Sequence, residues 1–206
     1  EARRFYLQDG KLIEHANFFA RNSALQQIIK NGGYKYVVLG GSFSASLDEA
    51  QYALEGNDLK NSKPVFRSQF EKAVIGIIDS GAKPYIIKGN PIFPWAAQKC
   101  TLNNQRLGLK TECNMDTKLY QKNFEEWSAF LETLQTRYPQ ISVIDPALVT
   151  CDKLSCYSEL DGVPLYRDAD HLNNVGSKHI GEKYIKQFGK PFRVNAESHK
   201  AVAVSP

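Results

Sequence analysis

Apolar side chains recur at three- and four-residue spacing in separate stretches of the chain, the period of a helix that buries one face. Phe18, Phe19, Leu25, Ile28 and Ile29 follow it within His15–Lys30. Asn31-Gly32-Gly33 comes next, residues suited to the backbone of a helix C-terminus, and predicts the end of that helix. Phe66, Phe70, Ala73, Val74, Ile77 and Ile78 make another helical face, stopped at Ser80-Gly81. Leu119–Tyr138 is the longest such stretch, with Phe124, Trp127, Phe130, Leu131 and Leu134 on one side and Pro139 closing it. Val175–Phe188 predicts a final helix.

Short runs of β-branched and aromatic residues lie between these helices. Tyr34–Leu39, Pro84–Lys88 and Ile141–Ile144 read as buried strands, halted by Gly40-Gly41, Asn90-Pro91 and Asp145-Pro146. Asp48–Lys63 reads as polar loop with some helix, and Pro91–Asp116 as irregular. Helix and strand in alternation predict an α/β fold, an open parallel sheet with helices on both faces. One domain is expected over 1–190, with a loosely ordered tail over 191–206, and no internal repeat is visible. Ligands of such sheets bind beyond the carboxyl ends of the strands, so Gly40–Ser46, Gly89–Trp95 and Asp145–His171 are the loops in which to seek chemistry.

Composition narrows the class. Among 206 residues, 42% are hydrophobic and 11% aromatic, which excludes a disordered chain. The longest apolar runs, such as Ala73–Ile78, are too short to span a bilayer. The net charge is +4 with no basic run interleaved by aromatics, which argues against nucleic acid and leaves a weak preference for anionic surfaces. The four cysteines form two local pairs, Cys100 with Cys113 and Cys151 with Cys156. Neither pair has metal-ligand spacing, so two loop-stapling disulfides and an oxidising, extracytoplasmic compartment are expected. The chain starts at Glu1 without a leader and reads as a piece of a longer protein.

The sharpest chemical signal is Leu165-Tyr166-Arg167-Asp168-Ala169-Asp170-His171-Leu172-Asn173, just before the final helix. A carboxylate three residues before a histidine can hold the imidazole Nδ1–H, fix its tautomer and stabilise the imidazolium. Asp168 is therefore the expected acid and His171 the base. Asp170, next to the histidine, is the second choice for the acid, or a helix-side or substrate contact. Ser42 stands on a strand-to-helix turn in Leu39-Gly40-Gly41-Ser42, the place where a hydroxyl is exposed near backbone N–H donors. Gly40, Gly41 and Asn90 are the expected oxyanion or pocket residues. Pro91-Ile92-Phe93-Pro94-Trp95 suits an acyl pocket or an apolar wall, and Trp127 suits the core. His15, His179 and His199 have no partner at useful spacing. No metal-ligand set, phosphate-cradling loop or cofactor requirement is visible.

Tyr138–Pro146, the cysteines at 151 and 156, and Leu165–Leu172 together resemble the end of the SGNH domain fused to membrane acyltransferase-3 proteins. The resemblance runs from about Tyr34 to Phe188 and is most specific at Asp168-Ala169-Asp170-His171. It implies an SGNH/flavodoxin-like three-layer fold and serine-type transfer or hydrolysis of O-acyl groups on a surface glycan such as a lipopolysaccharide. It also implies an acyl donor and a glycan acceptor as partners, a membrane acyltransferase domain alongside, and tethering to the inner membrane through an upstream region.

In that family the aspartate and histidine of the last motif complete a triad with an N-terminal serine, and Asp168 and His171 match them. Two alignments are open for Ser42. In one, Gly40-Gly41-Ser42 is the family's first block, with Gly41 in place of its aspartate, and Ser42 is the nucleophile. In the other, favoured by the helix that precedes the strand, the same residues occupy the third block. Ser42 is then an oxyanion donor, and the first strand with its serine lies outside this chain. Glu55-Gly56-Asn57-Asp58 matches the third-block text but has no strand before it and reads as a polar turn. A catalytically inactive module that binds glycan or acyl chains for a membrane acyltransferase is the rival reading.

Overall fold

A computed structural model of the chain describes residues 2–8, 11–14, 18–47, 52–55 and 58–192. Strands β1 (Ala2–Gln8) and β2 (Lys11–Glu14) precede helix α1 (Phe18–Asn31) and strand β3 (Tyr36–Leu39). A 3-10 turn at Ser44–Leu47 leads towards β4 (Tyr52–Glu55), β5 (Asp58–Asn61) and α2 (Ser62–Asp79). Next come β6 (Lys83–Ile87), α3 (Ala97–Leu107), β7 (Met115–Asp116) and α4 (Thr117–Arg137). The chain continues through β8 (Ser142–Ile144), α5 (Ala147–Thr150), β9 (Ser155–Cys156), β10 (Glu159–Leu160), β11 (Val163–Pro164) and α6 (Asn174–Phe188).

The central sheet is parallel, in the order β3-β6-β8. Leu39 pairs with Ile86 and Ile87 with Ile144, so the loops that leave all three strands emerge along one edge. Among the described residues β3 pairs only with β6, leaving its other edge open.

Side chains alternate across a strand, and β6 shows the consequence. Ile86 is buried in the main core with Val74, Trp127, Leu131 and Leu134, which come from α2 and α4. Tyr85 points the other way, edge-on to Tyr36 and to Phe192. Trp127 is the centre of the first face: Phe43, Phe66, Phe70 and Phe130 surround its ring. Its indole N–H donates to the carbonyl of Lys88 at 3.0 Å. A buried indole contributes on the order of 2–3 kcal/mol by area alone. Here it also ties α4 to the end of the central strand, where the loops begin.

The three parallel strands and the helices at Phe66–Ser80, Leu119–Tyr138 and Val175–Phe188 follow the sequence pattern closely. Elsewhere the structure differs. The stretch read as loop with some helix holds β4 and β5, which pair with each other; β4 also pairs with β1, and β1 with β2. Gly56 and Asn57 lie outside the described residues, between those two strands. The segment read as irregular contains α3, whose buried residues are only Ala97 and Thr101. With so little apolar surface to bury, the helix leaves almost no periodic signal; Thr101 and Ser158 share a hydrogen bond instead. On α1, Leu25 and Ile28 are 49% and 53% exposed, so part of the expected apolar face has no cover among the described residues. Residues 193–206 of the tail lie outside the described residues.

Candidate active site

The loop between β11 and α6 is built from its buried ends inward. Leu165 and Tyr166 are fully enclosed, and the Tyr166 hydroxyl donates to the carbonyl of Pro91 at 3.1 Å. Its ring stands edge-on to Phe93, 4.9 Å between centroids. Burial pushes the Tyr166 phenol well above its ordinary pKa, so it stays a neutral donor. At the other end Asn173 caps α6: its Oδ1 accepts from the Gly176 amide at 2.7 Å. The Nδ2 of the same residue donates to the carbonyls of Pro164 and Tyr166. Tyr166 and Leu172 bridge as in an antiparallel pair, and Arg167 N–H donates to His171 O. The loop is thus pinched shut just outside the Asp168–His171 segment.

Within the pinch, Asp168 organises everything. Its Oδ1 accepts from the amides of Asp170 at 3.0 Å and His171 at 2.7 Å, a turn closed by a side chain. Its Oδ2 lies 2.9 Å from His171 Nδ1. The His171 amide chiefly, with the Asp170 amide and the imidazole, holds the Asp168 carboxyl far below the usual carboxylate range. Asp170 Oδ1 lies 3.1 Å from the same Nδ1. The His171 side chain is 57% exposed, and among the described residues Nε2 has no hydrogen-bond partner. The outcome is an imidazole oriented at one nitrogen and open to an incoming group at the other.

The loop is moored to the end of β6. Phe93 N–H donates to Ala169 O at 2.9 Å, and Asn90 Nδ2 donates to Asp170 O at 2.8 Å and to Pro91 O at 3.2 Å. Asn90 therefore joins the His171 loop to the β6 loop, with its amide N–H groups already engaged. Beside it, Lys88 Nζ and Asp145 Oδ2 pair at 3.0 Å, and Tyr120 donates to the other Asp145 oxygen. That ion pair, which no motif announced, fastens the ends of β6 and β8 together.

Gly40, Gly41 and Ser42 are exposed at the end of β3, one strand from Asn90. Phe43 anchors them by entering the aromatic cluster around Trp127. Among the described residues no hydrogen bond joins Ser42 to His171. The structure therefore brings Asp168, Asp170, His171 and Asn90 into one cluster and leaves Ser42 on the neighbouring strand end. Phe93 is buried as an apolar wall under the loop, whereas Trp95, 40% exposed, turns an aromatic face to solvent.

Both disulfides form, Cys100 to Cys113 and Cys151 to Cys156. The expectation that His179 lacks a partner is corrected: its Nε2 lies 3.2 Å from Asp161, in the β10–β11 turn. That contact spans eighteen positions, beyond the reach of local spacing. His15 and His199 lie outside the described residues.

The ligand atoms of Asp168, Asp170 and His171 lie within 4.8 Å of one another, close enough to hold a cation. An Nδ1–H directed at a carboxylate accounts for the same geometry without one. Surface grooves of about 520 and 560 Å³ lie along α4 and beside α6, and neither is lined by Ser42, Asp168 or His171.

A family model described as an SGNH domain fused to AT3 domains matches residues 6–186. The chain belongs to that family. No curated protein and no solved structure matches it. Membership places the chain among esterase- and acyltransferase-type hydrolases and supports a membrane acyltransferase domain as its neighbour. In this SGNH domain no helix among the described residues is long and apolar enough to cross a membrane.

Proposed function

We propose that this SGNH domain carries out serine-type transfer or hydrolysis of O-acyl groups on a cell-surface glycan, with His171 as base and Asp168 as the group that orients it. The observation that carries the reading is the His171 imidazole, bonded to Asp168 through Nδ1 and open at Nε2. A serine Oγ attacks the acyl carbonyl carbon while its proton passes to Nε2. The tetrahedral intermediate collapses, the donor's leaving atom takes that proton, and an acyl-serine remains. A glycan hydroxyl, or water, then gives its proton to Nε2 and attacks the ester; as the intermediate collapses the imidazolium returns that proton to the serine oxygen, releasing the acylated glycan or the free acid and regenerating the serine. General base catalysis of this kind is worth roughly 10²–10⁴-fold.

The oxyanion of each intermediate needs fixed donors. The backbone N–H groups of Gly41 and Ser42 stand at the correct edge of the sheet. Asn90 serves the pocket by holding the Asp170 carbonyl. Exposed Trp95 offers a flat apolar face to a sugar ring beside the same loop. No cofactor is required. Two disulfides suit an oxidising compartment, and the domain works outside the cytoplasm, tethered beside its acyltransferase partner domain.

Ser42 is exposed in the loop that leaves β3, one strand from Asn90, which favours it as nucleophile in a self-sufficient domain. The edge of β3 that no described strand pairs with favours the other source, a serine carried by a further strand of the full-length protein. Fluorophosphonate labelling with peptide mapping separates these. An adduct on Ser42, lost in His171→Ala, makes the chain a complete hydrolase. An adduct on a serine outside this chain, found only in the full-length protein, makes the site a composite. Absence of any adduct in a folded full-length sample, with binding of glycan fragments retained, overturns the catalytic reading and leaves a binding module.

A further inference from the structure

The His171 imidazole has two carboxylates at Nδ1. Asp168 Oδ2 stands at 2.9 Å in hydrogen-bonding geometry, and Asp170 Oδ1 at 3.1 Å, within ion-pair distance of the same nitrogen. The two acids are held differently. Asp168 spends its second oxygen on the backbone amides of Asp170 and His171, so it shapes the turn as well as the imidazole. Asp170 is placed by its main chain: its N–H goes to Asp168 and its carbonyl accepts from Asn90. Its side chain lies beside both Nδ1 and the Asp168 carboxylate.

We infer that Asp170 is a second positioning carboxylate for His171, sharing the Nδ1–H with Asp168 and able to keep it when Asp168 is neutralised. This rests on the catalytic reading of His171 given above. With one orienting acid, exchange of that acid for its amide turns a donor towards Nδ1, and the imidazole adopts the wrong tautomer. Such a loss costs roughly 10⁴-fold in kcat. With two acids, the loss is split between them.

The substitutions Asp168→Asn, Asp170→Asn and the double change test this. Asparagine at 168 retains an oxygen for the backbone amides, so the turn survives. The tautomer of His171 is read by long-range 1H–15N NMR, a measurement that needs no activity. The inference expects Nδ1–H in the wild type and in both single variants, and Nε2–H in the double variant. Ester hydrolysis is expected to lose on the order of 10²-fold in kcat for Asp168→Asn and roughly 10⁴-fold for the double variant, with KM unchanged. If Asp168→Asn alone moves the tautomer as far as the double variant, Asp170 does not share the role and the inference falls, even where hydrolysis still depends on His171. If the tautomers behave as expected in a protein that neither labels nor hydrolyses, the sharing stands and the catalytic reading falls.

Discussion

Gly176, in the first turn of α6, lies directly on the main chain of Leu165. A β-carbon added at 176 would stand 2.3 Å from the Leu165 carbonyl oxygen and 2.5 Å from its Cα. Helix and loop backbones are in direct contact at this point, beside the Asn173 side chain that bonds to both. Gly176→Ala forces that backbone apart. It is expected to destabilise the domain by about 1–3 kcal/mol, the usual cost of overpacking, and to lower His171-dependent activity. Urea denaturation of the variant beside wild type checks it.

Asn173 works in both directions, and its substitutions separate the two. Asn173→Ala removes the cap and the bonds to Pro164 and Tyr166 together, and is expected to cost about 1–2 kcal/mol. Asn173→Asp keeps an oxygen for the Gly176 amide but loses the N–H donors. Its second carboxylate oxygen would face the carbonyls of Pro164 and Tyr166, so it should melt no higher than the alanine variant. A higher melt would mean that the cap outweighs the donors.

Asp168 makes the loop sensitive to acid in a defined direction. Its folded pKa lies below the ordinary value, through backbone and imidazole hydrogen bonds to the ionised form. The bonds are therefore fully present above the unfolded aspartate pKa of about 3.9, and are lost as pH falls through the lower folded value. The acid-side movement of the Asp170 and His171 amide resonances, as Asp168 is protonated, should have a midpoint below about 3.9. A midpoint above that value would contradict the bonding pattern.

The disulfides should differ in what they contribute. Cys100–Cys113 closes a span of 13 residues, and Cys151–Cys156 a span of 5. By loop-closure entropy the longer bridge is worth about 3 kcal/mol and the shorter one less. Paired replacement by alanine at 100 and 113 is expected to lower the melting temperature more than replacement at 151 and 156. The reverse order would place the Cys151–Cys156 turn, which leads into the β10–β11 hairpin, among the elements that hold the site.

The parallel strands and the long helices were legible in the residue pattern, because each buries a whole face and must repeat at the period of that face. Val74, Ile77, Trp127, Leu131 and Leu134 show that constraint directly. The Asp168–His171 pair was legible as well, since a separation of three positions lets a carboxylate reach an imidazole within one turn. Both cysteine pairs are similarly local. The remainder depends on contacts between distant segments. Helix α3 is stabilised by a disulfide and polar contacts more than by an apolar face, so it carries no period to read. The bond of Asn90 to Asp170 spans 80 positions, that of Tyr166 to Pro91 spans 75 and the Lys88–Asp145 pair spans 57. Such partners meet because parallel strands deliver the loops between them to one edge, and a residue's neighbours along the chain hold no record of what waits across that edge.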